Sequence, residues 1–487
     1  MTKSIAIIGS GFSSLAAACY LAKEGNQVTV YEKNEIVGGR ARQFKVEGFT
    51  FDMGPSWYWM PDVFERFFND FGKNASDYYR LEKLQPAYTV YFGKNDFITI
   101  EDTLDKICAA FEKEEPGSSK KLKKFIAIAQ DNYNIAIKDL VYRPGVSPLE
   151  LVTLETAKRI GQFFSTISKD VRKDFNNPRL ISILEFPVLF LGAKPSKTPS
   201  FYSFMNYADF GLGTFQPYGG MFSVIKGMQS LAESLGVKVY TNQNIEEIVL
   251  EGTKAVGVKI NEKVSKADVV LSGADYHHTE TLLPKNLRQY SEDYWNKKTF
   301  APSSLLFYIG FDKKIKNVTH HTLFFDVDFE QHANEIYDTP KWPTSPLFYA
   351  NFTSITQPDL APEACETGFF LVPIAPGLDD TEALRDKYYE KIMTRFEDLT
   401  SQKVKNHVIF KKSFCVNDFV EDYNSYKGNA YGLANTLLQT AFLRPKLKSK
   451  KVKNLFFTGQ LSVPGPGVPP ALISGKLVAG LIKKDSI

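Results

Sequence analysis

With 487 residues, 43% of them apolar and 23% charged, the chain is sized and composed for two or three folded domains with substantial cores, not for disorder. A formal net charge of +4 is weak for this length and argues against a nucleic-acid partner. No run of about 18 uninterrupted apolar residues is present, so no segment reads as a membrane span.

Aromatics reach 14%, with 39 Phe, 24 Tyr and 4 Trp, which suits heavy cores or a large apolar ligand surface. The cysteines Cys19, Cys108, Cys365 and Cys415 stand far apart without CxxC spacing. That spacing supports neither a zinc site nor a disulfide framework, and it fits a reducing compartment.

The chain opens on SIAIIG (Ser4–Gly9), an apolar run expected for a strand buried on both faces. It turns at Gly9-Ser10-Gly11 and continues as FSSLAAACYLAKEG, with Leu15, Ala18, Cys19 and Ala22 on one helical face and Gly25 as the stop. QVTVYEK returns as a second strand ending at Glu32. Strand, glycine turn, helix, strand and a late acidic residue form the layout of a dinucleotide site. Glycines admit a pyrophosphate to the helix's positive end, and Glu32 can accept hydrogen bonds from a ribose. Ser14 stands where the third glycine belongs, so slightly wider helix–strand packing is expected. The short Met1-Thr2-Lys3 lead gives no expectation of a signal peptide.

Val37-Gly38-Gly39-Arg40 can bring bare amides and an arginine to the same phosphates, and QFKVEGFTFD reads as two short strands about Glu47-Gly48. Ser56-Trp57-Tyr58-Trp59 then gathers three aromatics before Pro61 starts a helix; such a cluster reads as core more readily than as ligand site. Ser118–Tyr142 reads as a helix, and a further single helix is expected after Pro144 and Pro148, carrying Leu149, Leu154, Ile160, Phe163, Phe164 and Ile167. The run Ile181–Ala193 is too short to span a membrane and reads either as an interfacial segment or as a buried roof over a cavity. A helix over Phe222–Leu235, strands through 237–260 and the strand of DVVLSGADYHH follow. His277, His278, His320 and His321 come as pairs without an acidic cluster, so no metal site is expected. Residues 300–440 alternate strands with a helix near 379–399. The basic LRPKLKSKKVKN reads as a solvated connection, and Gly465–Pro470 as a rigid loop before a last helix.

GSGFSSL, YEK, VGGRARQF and FDMGPSWYWMP at one end, with NLFFTGQ and VPGPGVPPALISGKLVAGLI at the other, resemble the bacterial phytoene desaturases and carotenoid desaturases. These are flavoproteins of the amine-oxidase-like superfamily, and the likeness runs nearly full length. It implies an α/β fold: a glutathione-reductase-type, Rossmann-like FAD domain, an α+β substrate domain and a helical membrane-associating region. The expected division gives the FAD domain residues 1–75, 211–290 and 441–487, the substrate domain 76–117 and 291–440, and the helical region 118–210.

For the cofactor, the resemblance implies FAD contacts from Gly9, Gly11, Phe12, Ser13, Ser14, Glu32, Gly38, Gly39, Arg40, the backbone of Ile245, Gly459, Gln460, Gly467 and Val468. Gln460 replaces an acidic residue common in the wider group, which leaves the contact there to amides and the last helix. Gly467, without a side chain, would let a polyene approach the flavin. The implied reaction is successive dehydrogenation of phytoene toward lycopene, a C40 substrate taken from a membrane lipid surface by a cytoplasmic, monotopic enzyme. The electron acceptor stays open between oxygen and a quinone, and no residue is named as base. Other readings are a desaturase or isomerase of a modified, for example hydroxylated, carotenoid, a flavin amine oxidase, and a prenyl-binding protein without redox chemistry.

Overall fold

The run Ser4–Ile8 forms the central strand of a five-stranded parallel sheet in the computed structural model, which describes residues 2–485; Met1, where the leader reading begins, lies outside them. Its neighbours are Val269–Ser272 and Gln27–Tyr31, with Leu455–Phe457 and Lys238–Tyr240 at the edges. Strands buried on both faces need cover on both sides. Phe12–Lys23 supplies one, packed between Phe222–Ser234 and the last helix, Val468–Lys484. The sheet therefore draws its strands from three stretches of the chain hundreds of residues apart.

Ser14 is accommodated from the other side. A β-carbon on Gly273, at the end of the neighbouring strand, would lie 2.0 Å from Ser14 Oγ, so the missing side chain there replaces the missing third glycine. The helix can then stay close to the sheet instead of moving outward.

A second, seven-stranded sheet runs in the order Val408–Phe414, Ser303–Phe311, Glu366–Ile374, Phe348–Asn351, His321–Phe324, Tyr88–Gly93 and Asp96–Ile100. It is antiparallel except between His321–Phe324 and Tyr88–Gly93. The two-residue period of its strands divides the labour. Leu305, Phe307, Ile309, Phe370, Val372 and Ile374 pack under the helix Glu382–Leu399 with Ile392, Met393 and Phe396. Leu306, Tyr349, Phe369 and Leu371 point the other way, into a cavity.

Helices between residues 104 and 212 close that cavity. Leu104–Glu114 and Ser118–Lys138 lead, and the apolar run becomes a helix, Pro178–Glu185, followed by tight turns through Leu191. Leu189, Phe190 and Leu191 line the cavity, so this run is the roof rather than an outward-facing segment.

The single helix expected after Pro148 is instead four short pieces: Pro148–Leu151, Leu154–Lys158, Ile160–Phe164 and Ile167–Asp174. Side-chain caps restart the chain at three of the four, all but Ile160–Phe164. Ser147 Oγ accepts from the Leu149 amide at 3.2 Å, Thr153 Oγ1 from Thr156 at 3.1 Å and Thr166 Oγ1 from Lys169 at 3.3 Å. Their apolar side chains largely stay outside, Leu149 at 75% exposure and Phe164 at 79%.

The basic connection also differs from expectation at one residue: Arg444 is buried, held by carbonyls, while Lys450 and Lys451 remain at the surface.

The Ser14–Gly273 fit predicts that Gly273→Ala lowers thermal stability by about 1–3 kcal/mol through overpacking. Adding Ser14→Gly should restore most of the loss. Additive losses in a double-mutant melting cycle would show that the two sites are independent.

Candidate functional site

Every sequence candidate except Ser14 lines one cavity of about 590 Å³, which runs from the parallel sheet to the face of the second sheet. The Ser14 side chain points at Gly273 instead.

At the parallel-sheet end the backbone is arranged for a bulky anion. Gly9 sits at φ +86° with its amide on the Tyr31 carbonyl at 2.8 Å. Gly11 N-caps the helix Phe12–Lys23 without a side-chain cap, leaving the first amides and the positive helix end open to the cavity. Nothing lies within 4 Å of where a Gly11 β-carbon would be, so the glycine opens a cradle that any side chain would fill.

Glu32 ends the second strand at 4% exposure. Its Oε2 accepts from the Ser10 amide (3.0 Å) and hydroxyl (2.6 Å), and its Oε1 from the Asn34 amide (2.9 Å). Ser10 Oγ in turn accepts from the Gly38 amide at 3.2 Å, which ties the second glycine loop to the first. Sequence reading passed over Ser10; its place between two glycines next to a buried acid was the available signal.

Arg40 is half-buried and donates to Ser425 Oγ (3.1 Å) and the Asn429 carbonyl (3.2 Å), with its guanidinium over the Tyr423 ring at 5.0 Å. Burial pulls its pKa down, and its Nε has no partner. Ile245 and Gln243 close the far side. Gly459 donates to Ser474 Oγ at 3.1 Å, and Gln460 places its amide 3.4 Å from Asn429 Oδ1. Gly467 is at φ +115°, a backbone requirement of the turn into Val468–Lys484. Any side chain there is strained, so a bulky substitution at Gly467 does not report on substrate approach.

The rest of the cavity is apolar and aromatic. Trp57 and Trp59, read as core, are walls of it together with Phe186 and Phe190. Tyr58 alone of that cluster turns into the core, stacked on Phe64 at 4.2 Å. Trp57 also stacks on His321, centroids 4.0 Å apart and planes 11° apart.

A polar pair sits where the two halves meet. The Met53 amide donates to the Arg42 carbonyl at 2.8 Å, holding the Ser56-Trp57 turn to the second glycine loop. Tyr349 Oη lies 3.0 Å from Ser56 Oγ and 2.6 Å from His321 Nδ1. Asn351 Nδ2 is 3.2 Å from the same Nδ1, so this nitrogen is the acceptor and the proton belongs on Nε2, which is buried without a partner. Burial holds the His321 pKa well below the usual imidazole range and that of Tyr349 well above the usual phenol range, so both are neutral. Tyr337 and Tyr431 also line the cavity, and no hydrogen bond of either hydroxyl to another side chain or backbone group is found among the described residues.

Every carboxylate on the cavity wall is already committed. Glu32 is held as above, Asp275 accepts from the amides of His278 and Tyr426, and Asp422 pairs with Arg42. Glu150 accepts from the amides of Gly145, Val146 and Ser147. Among the described residues no group of three or more His, Cys, Asp or Glu could hold a metal ion.

This geometry predicts that Gly11→Val leaves the apoprotein's melting temperature unchanged and abolishes FAD binding. Glu32→Ala should weaken binding by about 1–3 kcal/mol. Titration calorimetry with the apoprotein measures both, and unchanged affinity in the two variants refutes the cradle.

The comparisons agree with the fold and with the motifs. Residues 12–483 match the flavin containing amine oxidoreductase family. The chain is 40% identical over 485 residues to a carotenoid 3,4-desaturase of Haloarcula japonica, covering 99% of this chain and 98% of that one. It is 32% identical over 502 residues to a 4,4'-diapophytoene desaturase (4,4'-diaponeurosporene-forming) of Staphylococcus aureus, covering 99% of each. An oxidoreductase from Methanosarcina mazei superimposes with a TM-score of 0.61 at 16% identity, over 98% of this chain and 99% of that one. Putrescine oxidase does so at 0.60 and 13%, over 99% of each; these two likenesses speak for the fold alone. The chain belongs to the flavin containing amine oxidoreductase family, in its carotenoid desaturase branch, and is an FAD-dependent oxidoreductase.

Proposed function

We propose that the protein is a carotenoid desaturase whose substrate is an already modified, hydroxyl-bearing polyene rather than phytoene. The observation that carries this reading is the 40% identity, over 99% of the chain, to a carotenoid 3,4-desaturase, against 32% to a diapophytoene desaturase. The cavity supports it. Its walls are apolar over most of their length, and the Tyr337 and Tyr431 hydroxyls, unused by the protein, can meet an oxygen on the substrate.

FAD, when bound, supplies the acceptor for the hydride. The protein's part is positional. Trp57, Trp59, Phe186 and Phe190 hold the chain and exclude water, where misplacement of about 1 Å costs about 100-fold in rate. Loss of hydride from one carbon leaves a proton to be removed from its neighbour. Tyr349 Oη faces the cavity and donates to a neutral imidazole, so it can take that proton while passing its own to His321 Nδ1.

We place the opening of the cavity beside Arg143, Ser147, Phe163 and Thr440–Phe442, which line it. In the chain segments that carry these residues Leu149, Leu154, Ile160, Phe164 and Leu438 are exposed. No helix among the described residues is long and apolar enough to cross a membrane. The reading is therefore a peripheral enzyme that lies on lipid by this face and draws its substrate directly into the cavity.

Expression in cells that accumulate a hydroxylated acyclic carotenoid should lengthen its chromophore, while phytoene-accumulating cells stay colourless. Conversion of phytoene to lycopene with the hydroxylated pigment untouched would reverse the assignment.

Tyr349→Phe should slow anaerobic flavin reduction by substrate about 100-fold or more, with flavin content unchanged. A wild-type rate would make the tyrosine a wall and nothing more.

Leu149→Ser/Leu154→Ser/Phe164→Ser should leave the protein in the supernatant of phosphatidylcholine vesicles that sediment the wild type. If Leu189→Ser/Phe190→Ser releases it and the first variant does not, the roof segment is the contact after all.

A further inference from the structure

Arg444 is 2% exposed and has no acidic partner among the described residues. Its Nη2 donates to the Leu433 carbonyl at 2.9 Å and to Asn435 Oδ1, its Nη1 to the Gln460 carbonyl at 3.3 Å, and its Nε to nothing. The titratable groups facing it are Tyr202 and Tyr294, both phenols, and Lys298, a like charge. Burial lowers its pKa to about 10, which still leaves it charged at neutral pH. A buried cation with only neutral partners is among the costlier arrangements a fold can keep.

Its position shows where that charge acts. A β-carbon on Gly465 would lie 3.1 Å from Nη2, so the guanidinium rests against the backbone of the loop before the last helix. Asn435, Gln460, Val463 and Gly467, its partners and their neighbours, line the cavity. The uncapped end of Val468–Lys484 adds the positive pole of a 17-residue helix at the same place. Two positive sources thus converge on one stretch of cavity wall.

We propose that Arg444 is a positioning residue that raises the flavin's reduction potential, by stabilising the negative charge that hydride uptake leaves on the isoalloxazine. The balance is simple: a hydride brings two electrons and one proton, so the ring gains one negative charge. The charge of Arg444 reaches it through the Gln460 carbonyl and the Gly465 backbone that the guanidinium holds. This rests on the isoalloxazine lying against Val463–Ala471, at the start of the last helix, as the family resemblance implies. It does not rest on the choice of substrate, because no carotenoid enters the test.

The measurement is the two-electron midpoint potential of purified holoenzyme, by dye-coupled anaerobic reduction, in Arg444→Gln, Arg444→Lys and Asn435→Asp. Asn435→Asp keeps the hydrogen bond to Arg444 and neutralises its charge, so it carries the test should Arg444→Gln fold poorly. Arg444→Gln and Asn435→Asp should shift the reduced-to-oxidised ratio at least tenfold toward oxidised, about 30 mV for a two-electron couple. Arg444→Lys should stay near wild type. Potentials unchanged in the first two variants overturn the proposal. So does an equal fall in Arg444→Lys, since shape rather than charge would then be the cause.

Discussion

One carboxylate fixes the geometry on which the cofactor site depends. Glu32 binds the Ser10 amide and hydroxyl with one oxygen and Asn34 with the other, and Ser10 passes the constraint on to Gly38. Two loops of the first 40 residues are thereby set relative to the end of one helix. Hydrogen bonds to an ionised group are worth about twice neutral ones, and burial keeps water from competing. An anion cradle made only of glycine backbone would otherwise be free to collapse.

Around that polar end the chain builds a cavity of opposite character. The second sheet does so by alternation: one set of its side chains makes a core with the helix Glu382–Leu399, the other a wall. The same residues that stabilise the sheet thus determine how wide the space is. At the seam the Tyr349–His321 pair keeps its polarity without carrying a net charge, which is what a hydrocarbon chain beside it can tolerate.

Periodicity made the parallel sheet, its first helix and the strands of the second sheet legible, because each is a run with a clear period and a glycine or proline stop. The nucleotide end was legible for a further reason: its chemistry uses backbone, and glycine spacing records backbone directly. The walls were not. Trp57 and Trp59 have the same composition as a core, and only tertiary placement separates a buried face from a cavity face. The four short turns after Pro148 were read as one helix because apolar residues at helical spacing hid the caps at Ser147, Thr153 and Thr166. Arg444 looked like one more cation in a lysine-rich connection, and no local pattern marks which member of such a run is buried.

Those short turns also bear on how the enzyme would be measured. Three of those pieces, Pro148–Leu151, Leu154–Lys158 and Ile160–Phe164, are four or five residues long and show Leu149, Leu154, Ile160 and Phe164 outward, so they gain little from the protein interior. On the proposed docking to lipid, the opening would communicate with the bilayer and not with water. The relevant substrate concentration is then a mole fraction in the membrane. Adding inert lipid at fixed carotenoid and fixed enzyme would dilute the substrate in two dimensions, and the rate would fall although nothing in the aqueous phase had changed.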